Sequence, residues 1–246
     1  MTAGLKSLIG EVPYKILWSL RHPIWSTYHF LGVPRYRLSL STPILRIRGH
    51  GVSSEGITPT SIVYSFGIGE DLSFELEMIA RFGVTIHAFD PTPLALAWVK
   101  RQHLPRQIVI HEIGLAAYDG IARFNPPIKS TFVSYSLVGE PGGKDVVEAP
   151  VRRIQTIMKE LGHNRIDFLK LDIEGAEYPV LADLLLVKPS QVMVEFHHRI
   201  RRIPHRDTRK SIQKFVEGGY RVACTSNDTH EITFLLVHDL VSQAAE

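Results

Sequence analysis

The chain contains very little cysteine and no apolar stretch long enough to cross a membrane. Cys224 is the single cysteine among 246 residues, which excludes an internal disulfide and fits a reducing compartment. No paired cysteine and histidine spacing indicates a structural zinc site. A bilayer span needs roughly 20 consecutive apolar residues, whereas residues 22–34 are fewer and include two prolines. We therefore expect a cytoplasmic protein.

The chain also lacks a strong excess of charge of one sign. It has 28 Lys and Arg residues against 25 Asp and Glu residues, a net charge of +3, and an isoelectric point near 9.0. Nucleic-acid binding requires basic residues that cluster on one face. So small an excess gives no reason to expect a nucleic-acid partner.

Residues 1–59 are predicted to form an appendage of irregular structure with one or two short helices. Charged side chains interrupt its apolar residues, unlike the layout of a secretory signal peptide. The aromatic residues of segment 5–31 could lie on a membrane surface, but packing of these aromatics onto the main domain is the favoured interpretation. Alternating apolar residues predict short strands at 36–40 and 44–48, and glycines predict a loop over 49–59.

Strands alternate with helices over residues 60–246, which predicts one α/β domain. Strands are predicted at 61–66, 84–89, 107–113, 168–171, 191–196, 220–224 and 231–237, and helices at 72–82, 92–103, 154–161, 176–186 and 208–217. An inserted hairpin is predicted from 121–124 and 131–135. The Asn227-Asp228 turn should join the last two strands antiparallel. The expected fold is a doubly wound, mostly parallel sheet with one antiparallel strand from this C-terminal hairpin.

A glycine turn follows the first strand of this domain. Gly67 and Gly69 permit a tight turn against which a ligand can lie. A dinucleotide fingerprint would place a third glycine where this chain has Leu72. Glu70 and Asp71 at the helix start would repel phosphates. The turn therefore suits a ligand that carries positive charge, although Asp71 could also simply cap the helix.

The next two strands also end in residues suited to a ligand. Asp90 closes the second strand about 20 residues beyond the glycine turn, where an acid commonly accepts hydrogen bonds from ribose hydroxyls. Gly114 and Leu115 follow the third strand, at the position expected for an adenine ring. A purely local role for Asp90, as a loop or cap acid, is the alternative.

Two further strands end in acids and a histidine. Asp172 and Glu174 follow the apolar strand 168–171, and Glu195 and His197 end the strand 191–196. Parallel strands present such residues at a shared ligand-binding edge. Alternation places Glu195 and His197 on one side. Alternatively, Asp172 and Glu174 are ordinary loop acids that face solvent. The four residues could also bind a divalent cation together. A site without metal is favoured, because no compact metal-ligand motif is present.

These segments together resemble the FkbM family of S-adenosylmethionine-dependent methyltransferases. The likeness covers about residues 60–200, and its specific part is the Asp-Ile-Glu-Gly-Ala-Glu block at 172–177. The resemblance implies a class I methyltransferase fold that is Rossmann-like, and methyl transfer from S-adenosylmethionine, commonly to a hydroxyl oxygen of a sugar or polyketide. The closing hairpin agrees, because dinucleotide dehydrogenases generally lack it. This chain departs from the usual pattern at Ser65, where methyltransferases often have an acid, and at Asp71.

Roles follow for the candidate residues once methyl transfer is the expected chemistry. The expected cofactor site comprises Gly67, Gly69, Glu70, Asp90, Gly114 and Leu115. The expected catalytic residues are Asp172, Glu174 and His197, because a hydroxyl acceptor must lose a proton to a nearby base. An unperturbed histidine pKa suits that task near neutral pH.

The acceptor is expected to be a small molecule or glycan, with an anionic group. Glu195, Arg201 and Arg202 are the expected substrate-binding residues, since a basic loop follows the fifth strand of the domain. Two other functions stay open. One is a nucleotide-dependent oxidoreductase on a similar sheet, which Leu72 and the closing hairpin disfavour. The other is a binding protein that keeps the fold without catalysis.

Overall fold

The structure, a computed structural model, describes residues 31–36, 44–124, 146–198, 203–226 and 230–237. Arg201 and Arg202, the predicted strand at 131–135 and the aromatic residues of segment 5–30 lie outside the described residues. The strands in chain order are β1 (Ile44–Ile47), β2 (His50–Ser53), β3 (Ile62–Phe66), β4 (Thr85–Phe89), β5 (Ile108–His111), β6 (Gly114–Leu115), β7 (Gly120–Phe124), β8 (Val147–Arg152), β9 (Phe168–Leu171), β10 (Gln191–Glu195), β11 (Tyr220–Thr225) and β12 (Glu231–Leu236).

The core of the domain is a seven-stranded sheet in the order β11-β12-β10-β9-β3-β4-β5. Strands β10, β9, β3, β4 and β5 are parallel to one another. All four residues of β9 are buried, as expected for a strand that is covered on both faces. The strand order reverses between β9 and β3, and the glycine turn follows β3. This is the position at which open α/β sheets bind ligands.

The C-terminal hairpin supplies the antiparallel strand. Strand β12 pairs antiparallel with both β10 and β11, so it runs against the direction of the rest of the sheet. The Asn227-Asp228 turn itself lies outside the described residues. The predicted doubly wound sheet with one antiparallel strand is confirmed, and Cys224 is a buried thiol on β11.

Helices cover the sheet between successive strands. They are α1 (Ser73–Phe82), α2 (Pro93–Val99), α3 (Ile154–Glu160), α4 (Glu177–Val187) and α5 (His205–Glu217). Phe74 and Met78 of α1 are buried, as their helical spacing predicts. Helix α2 ends earlier than predicted, at Val99, and α5 begins earlier, at His205.

Two regions outside the main sheet contain pairings that the sequence did not indicate. The predicted loop at 49–59 contains β2, which pairs antiparallel with β1. Strand β7 pairs antiparallel with β8, whereas the hairpin predicted from 121–124 and 131–135 stays a prediction, because 131–135 lies outside the described residues. Strand β8 also pairs parallel with β6, which completes a three-stranded sheet in the order β6-β8-β7. This small sheet holds Gly114 and Leu115 beside the main sheet.

Described residues of the predicted appendage pack into the domain core. Leu31 and Val33 are completely buried among side chains of the main hydrophobic core. Ile47 and Val52 are completely buried in a second cluster with residues of α1. This part of the appendage therefore stabilises the sheet domain, while a domain boundary near residue 60 stays a prediction.

Within the described ranges, every helix is too short or too polar to cross a membrane.

Candidate active site

A cavity of about 240 Å³ opens at the carboxyl ends of β3, β4 and β9. All six predicted cofactor residues line it: Gly67, Gly69, Glu70, Asp90, Gly114 and Leu115. Asp172 and Glu174 line the same cavity. The prediction that these strand ends meet is confirmed. They meet because the carboxyl ends of parallel strands lie at one edge of the sheet.

Gly67 makes the closest backbone contact of the cavity wall. Its φ is 80°, and its amide donates to the carbonyl oxygen of Phe89 at 3.0 Å. A Cβ built on Gly67 would stand 1.6 Å from the carbonyl oxygen of Asp172. The turn after β3 thus packs directly on the backbone of the Asp172 loop, and only glycine fits there.

Asp90 ties the glycine turn to the start of α2. One carboxylate oxygen accepts from the Gly69 amide at 3.0 Å, and the other accepts from the amide and hydroxyl of Thr92 at 2.9 and 2.6 Å. Asp90 is buried but lies in the cavity wall. Each carboxylate oxygen can accept more than one hydrogen bond, so the local role and a ligand contact are compatible.

A buried ion pair lies behind the glycine turn, and sequence reasoning missed it. Lys170 of β9 donates to the carbonyl oxygen of Gly67 at 3.2 Å and lies 3.6 Å from the carboxylate of Glu75. Ser65 donates to that carboxylate at 2.6 Å. Burial alone would lower the pKa of Lys170, but the carboxylates of Glu75, Asp172 and Glu195 raise it above its ordinary value. The lysine inside an otherwise apolar strand could have indicated this ion pair, because a buried charge requires a partner.

Ser65, where the family resemblance led us to expect an acid, is hydrogen-bonded to an acid of the neighbouring helix. Glu75 of α1 accepts the serine hydroxyl at 2.6 Å. Both residues are buried.

Beside the cavity, three carboxylates surround the imidazole of His197: those of Asp172, Glu174 and Glu177. We call these four residues, together with Glu195, the acid–histidine cluster. The Nδ1 atom of His197 lies 2.6 Å from Glu177. Its Nε2 atom lies 3.7 Å from Asp172 and 3.5 Å from Glu174. Asp172, Glu195 and His197 each offer an atom within 4.8 Å of the others. The predicted convergence of Glu195 and His197 is confirmed; Glu177, on the first turn of α4, was missed.

The backbone around Glu174 is held in an uncommon conformation. Glu174 has a φ of 52° and Gly175 a φ of 100°. The amide of Gly175 donates to the carboxylate of Glu177 at 3.1 Å. Left-handed backbone at a non-glycine residue costs energy and occurs often at functional sites. Here it turns the chain so that Glu174 and Glu177 reach the same imidazole.

Burial and mutual repulsion perturb the titration of the cluster. Burial, followed by the nearby Asp172 carboxylate, raises the pKa of Glu195 to about 7. Burial likewise raises the pKa of Asp172. Burial lowers the pKa of His197, but the carboxylates of Glu177, Glu174 and Asp172 outweigh it and raise that pKa to about 9. At neutral pH His197 therefore carries a proton and donates hydrogen bonds, which counts against the base role expected for it.

The raised pKa of His197 predicts a pH dependence of folding. Because the pKa rises from 6.5 to about 9, the stabilisation is fully present below pH 6.5 and is lost as the pH rises through about 9, at roughly 3 kcal/mol in total. In metal-free buffer, the free energy of unfolding from urea titrations should fall over this range. His197→Asn should flatten the fall between about pH 8 and 9, above the range in which Glu195, with a pKa of about 7, mainly titrates. Equal slopes for both proteins would contradict this assignment.

Comparison with known proteins agrees with the geometry. Residues 61–222 match the family model of the methyltransferase FkbM domain. The probable methyltransferase-like protein 24 of Homo sapiens is 30% identical over 125 residues, which cover 50% of this chain and 28% of that protein. Its counterpart in Rattus norvegicus is 29% identical over 137 residues, which cover 55% of this chain and 31% of that protein. This chain thus matches less than a third of the length of these curated relatives.

One solved structure that the chain matches carries the same family name. The crystal structure of methyltransferase FkbM from Methylobacillus flagellatus aligns with a TM-score of 0.48 at 14% identity, over 72% of this chain and 44% of the other. The family model itself matches about two thirds of the present chain, from β3 into β11. The chain therefore belongs to the FkbM methyltransferase family.

Proposed function

We propose that the protein transfers a methyl group from S-adenosylmethionine to a hydroxyl oxygen of a small-molecule or glycan acceptor. The observation that carries this proposal is the adjacency of two features. The cavity after β3 and β4 has the residues expected of a nucleoside site, and Asp172 and Glu174 belong both to that cavity and to the acid–histidine cluster.

The charges of the cavity wall fit S-adenosylmethionine better than a dinucleotide. Its described lining contains Glu70, Asp71, Asp90, Asp172 and Glu174 but no Lys or Arg. Carboxylates attract the amino group and the sulfonium centre of S-adenosylmethionine and repel a pyrophosphate. Leu72 is buried behind the turn, where a dinucleotide fingerprint has its third glycine. These features favour methyl transfer over the oxidoreductase alternative.

Each part of the donor has a set of residues suited to hold it. Leu115 and Phe124 offer apolar surface for the adenine ring, Asp90 offers a carboxylate to the ribose, and Glu70 offers one to the amino group. When bound, S-adenosylmethionine supplies a methyl group activated by its sulfonium for in-line displacement. Positioning supplies much of the rate of such a reaction, and the glycine turn and the Asp172 loop fix that position through their direct backbone contact.

The acid–histidine cluster can manage the proton of the acceptor. Because burial raises the pKa of Asp172, and raises that of Glu195 to about 7, these carboxylates are better matched to accept a hydroxyl proton near neutral pH than ordinary acids. The positive charge of the protonated His197 attracts the carboxylates of Asp172 and Glu174, which lie 3.7 and 3.5 Å from Nε2. In this proposal a carboxylate is the base and His197 holds it in place.

The proposed acceptor is anionic, and the proposed compartment is a reducing one. An anionic acceptor is favoured by the basic loop that includes Arg201 and Arg202, and nothing in the charge balance favours a nucleic acid. A reducing compartment such as the cytoplasm suits the buried thiol of Cys224.

Donor binding is tested by calorimetric titration with S-adenosylhomocysteine, the neutral product of the donor. The wild-type protein should bind it, and Asp90→Leu should weaken the affinity at least about 100-fold, because a bulky apolar side chain would remove the hydrogen bonds to Gly69 and Thr92 as well as the ribose contact. Glu148→Gln, which changes an exposed side chain of β8, is the control and should bind S-adenosylhomocysteine as the wild type does. Binding of NADH in place of S-adenosylhomocysteine would favour the oxidoreductase alternative instead.

Acceptor chemistry is tested with S-adenosylmethionine labelled in its methyl group. Free sugars, glycans and polyketide lactones are offered as acceptors, together with amines of similar size. The label should enter a base-stable ether, and Asp172→Asn should lower the rate by roughly a hundredfold or more. Label found exclusively in amines, or donor binding without transfer to any acceptor, would contradict hydroxyl methylation; the second result would favour a binding protein.

A further inference from the structure

The acid–histidine cluster brings oxygen and nitrogen atoms of metal-binding residue types close together. Atoms of Asp172, Glu195 and His197 lie within 4.8 Å of one another. The Nε2 atom of His197 lies 3.7 Å from Asp172 and 3.5 Å from Glu174, too far for a good hydrogen bond. Ligands that each stand about 2.1 Å from a shared cation are separated by roughly 3–3.5 Å. The gaps are thus close to those that one cation would produce.

His197 is oriented in the manner of a metal-binding histidine. Metal-bound imidazoles usually donate their second nitrogen to a carboxylate, which fixes the ring. In this protein Glu177 occupies Nδ1 at 2.6 Å, and both side chains are almost completely buried, at 4% and 1% exposure. The other nitrogen, Nε2, is thereby aimed at Asp172 and Glu174. Glu177 in turn is held by the amide of Gly175.

Within the described ranges, two carboxylates of the cluster, those of Asp172 and Glu195, accept no close hydrogen bond from a protein group. No hydrogen bond reaches the side-chain oxygens of Asp172 or Glu195 from the described residues, and the contact of Asp172 with His197 is a long one. Lys170 is the nearest lysine of the sheet, but it is held by Glu75 and by the carbonyl oxygen of Gly67. The hydrogen bonds of the described residues thus leave oxygen atoms of Asp172 and Glu195 in position for a further ligand.

We propose that Asp172, Glu195 and His197 form a binding site for a divalent cation of the Mn²⁺ or Zn²⁺ type, with Glu174 in reach as a further ligand. Imidazole suits transition-metal ions, and carboxylates suit Mn²⁺ and Zn²⁺ as well. Binding of the cation would displace the proton of Nε2 to solvent, while Nδ1 keeps its proton and donates to Glu177. Three protein ligands leave coordination positions open, as in catalytic metal sites. Since Asp172 also lines the donor cavity, these positions face the place of reaction.

The open positions have a consequence that rests on the proposed function. An oxygen of the acceptor hydroxyl would bind there, and a cation lowers the pKa of an oxygen that it binds. The preferred acceptors would then carry a second oxygen beside the hydroxyl, as in a vicinal diol or a 2-hydroxy acid, because two adjacent oxygens can bind one cation together.

The test uses Mn²⁺ with the full chain after removal of metals by a chelator. Calorimetry and electron paramagnetic resonance should find one Mn²⁺ per chain in the wild-type protein. Asp172→Asn and Glu195→Gln, which keep side-chain size, should each weaken binding more than about tenfold, and Glu177→Gln, which only loosens the ring of His197, by roughly 10- to 100-fold. Glu148→Gln, an exposed acid on β8, should leave the affinity unchanged.

A second measurement needs no variant. Cu²⁺ bound to the wild-type protein should show the magnetic coupling of one imidazole nitrogen, that of His197. Absence of Mn²⁺ binding, an affinity that the three variants leave unaltered, or Cu²⁺ spectra without nitrogen coupling would each overturn the metal site. Titration with S-adenosylhomocysteine separates the two proposals: a protein that binds it but no Mn²⁺ lacks the metal site alone, whereas one that binds Mn²⁺ but no S-adenosylhomocysteine keeps the site and loses the proposed donor.

Discussion

Gly67→Ala should abolish tight binding of S-adenosylhomocysteine and destabilise the domain. A Cβ at this position would lie 1.6 Å from the carbonyl oxygen of Asp172, which is backbone on the buried end of β9 and cannot rotate away. Either the glycine turn or the Asp172 loop must move, and both line the donor cavity. We expect the affinity to fall at least about 100-fold, or roughly 2.7 kcal/mol, and the free energy of unfolding to fall by about 4 kcal/mol, at the extreme of single substitutions.

Gly162→Ala separates this steric overlap from the effect of the backbone angle. Gly162 has a φ of 70°, close to the 80° of Gly67, but a Cβ built there meets no atom within 4 Å. This variant should lose only the roughly 1–2 kcal/mol of left-handed backbone strain and bind S-adenosylhomocysteine normally. Similar losses of affinity in both variants would show that the contact with Asp172 is not what holds the turn.

The residues of the donor cavity were predictable because each signal was local. A short apolar strand followed by glycine, Asp or Glu marks the carboxyl end of a parallel strand, and all such ends meet at one edge. Asp90, Gly114 and Asp172 are far apart in the sequence, yet each could be placed from its own strand. The handedness of the connections also helped, since crossovers between parallel strands are almost always right-handed and this limits how the strands can be arranged.

Partners between elements could not be predicted in the same way. The pairing of β7 with β8 was not foreseen, because alternation predicts a strand without specifying its neighbour. Glu177 reads as an ordinary acid in the first turn of α4, where it also suits the helix dipole. Only the fold shows that it lies against His197.

The electrostatics of the site depend on the same nonlocal contacts. From sequence, His197 had an ordinary pKa and suited a base; in the folded protein three carboxylates surround it and raise its pKa to about 9. Ser65 suggested that an acid was missing from the cofactor site, but Glu75 is brought to Ser65 by α1. Residue type thus predicted where the candidate site lies, whereas the protonation states of its side chains could be inferred only from the fold.

Lys170→Met should lower the free energy of unfolding more than the removal of any exposed charged side chain of this protein. Methionine matches the length of the lysine stem but leaves Glu75, which is 1% exposed, without its cation. Removal of one partner from a buried ion pair typically costs roughly 3–5 kcal/mol, because the other charge stays desolvated. The carbonyl oxygen of Gly67 would also lose its donor, so we expect a weaker affinity for S-adenosylhomocysteine. Urea denaturation and calorimetric titration of the variant measure the two effects.

Two further variants isolate the buried charge as the cause. Lys100→Met removes a lysine that also lies 3.6 Å from a carboxylate, that of Glu112, but both side chains are mostly exposed; its cost should stay within about 0.5 kcal/mol. Glu75→Gln combined with Lys170→Met removes the stranded charge while an oxygen remains for Ser65. That double variant should regain roughly 1–3 kcal/mol over Lys170→Met alone. If it is no more stable than the single variant, lost packing of the lysine stem, not the unpaired Glu75, accounts for the damage.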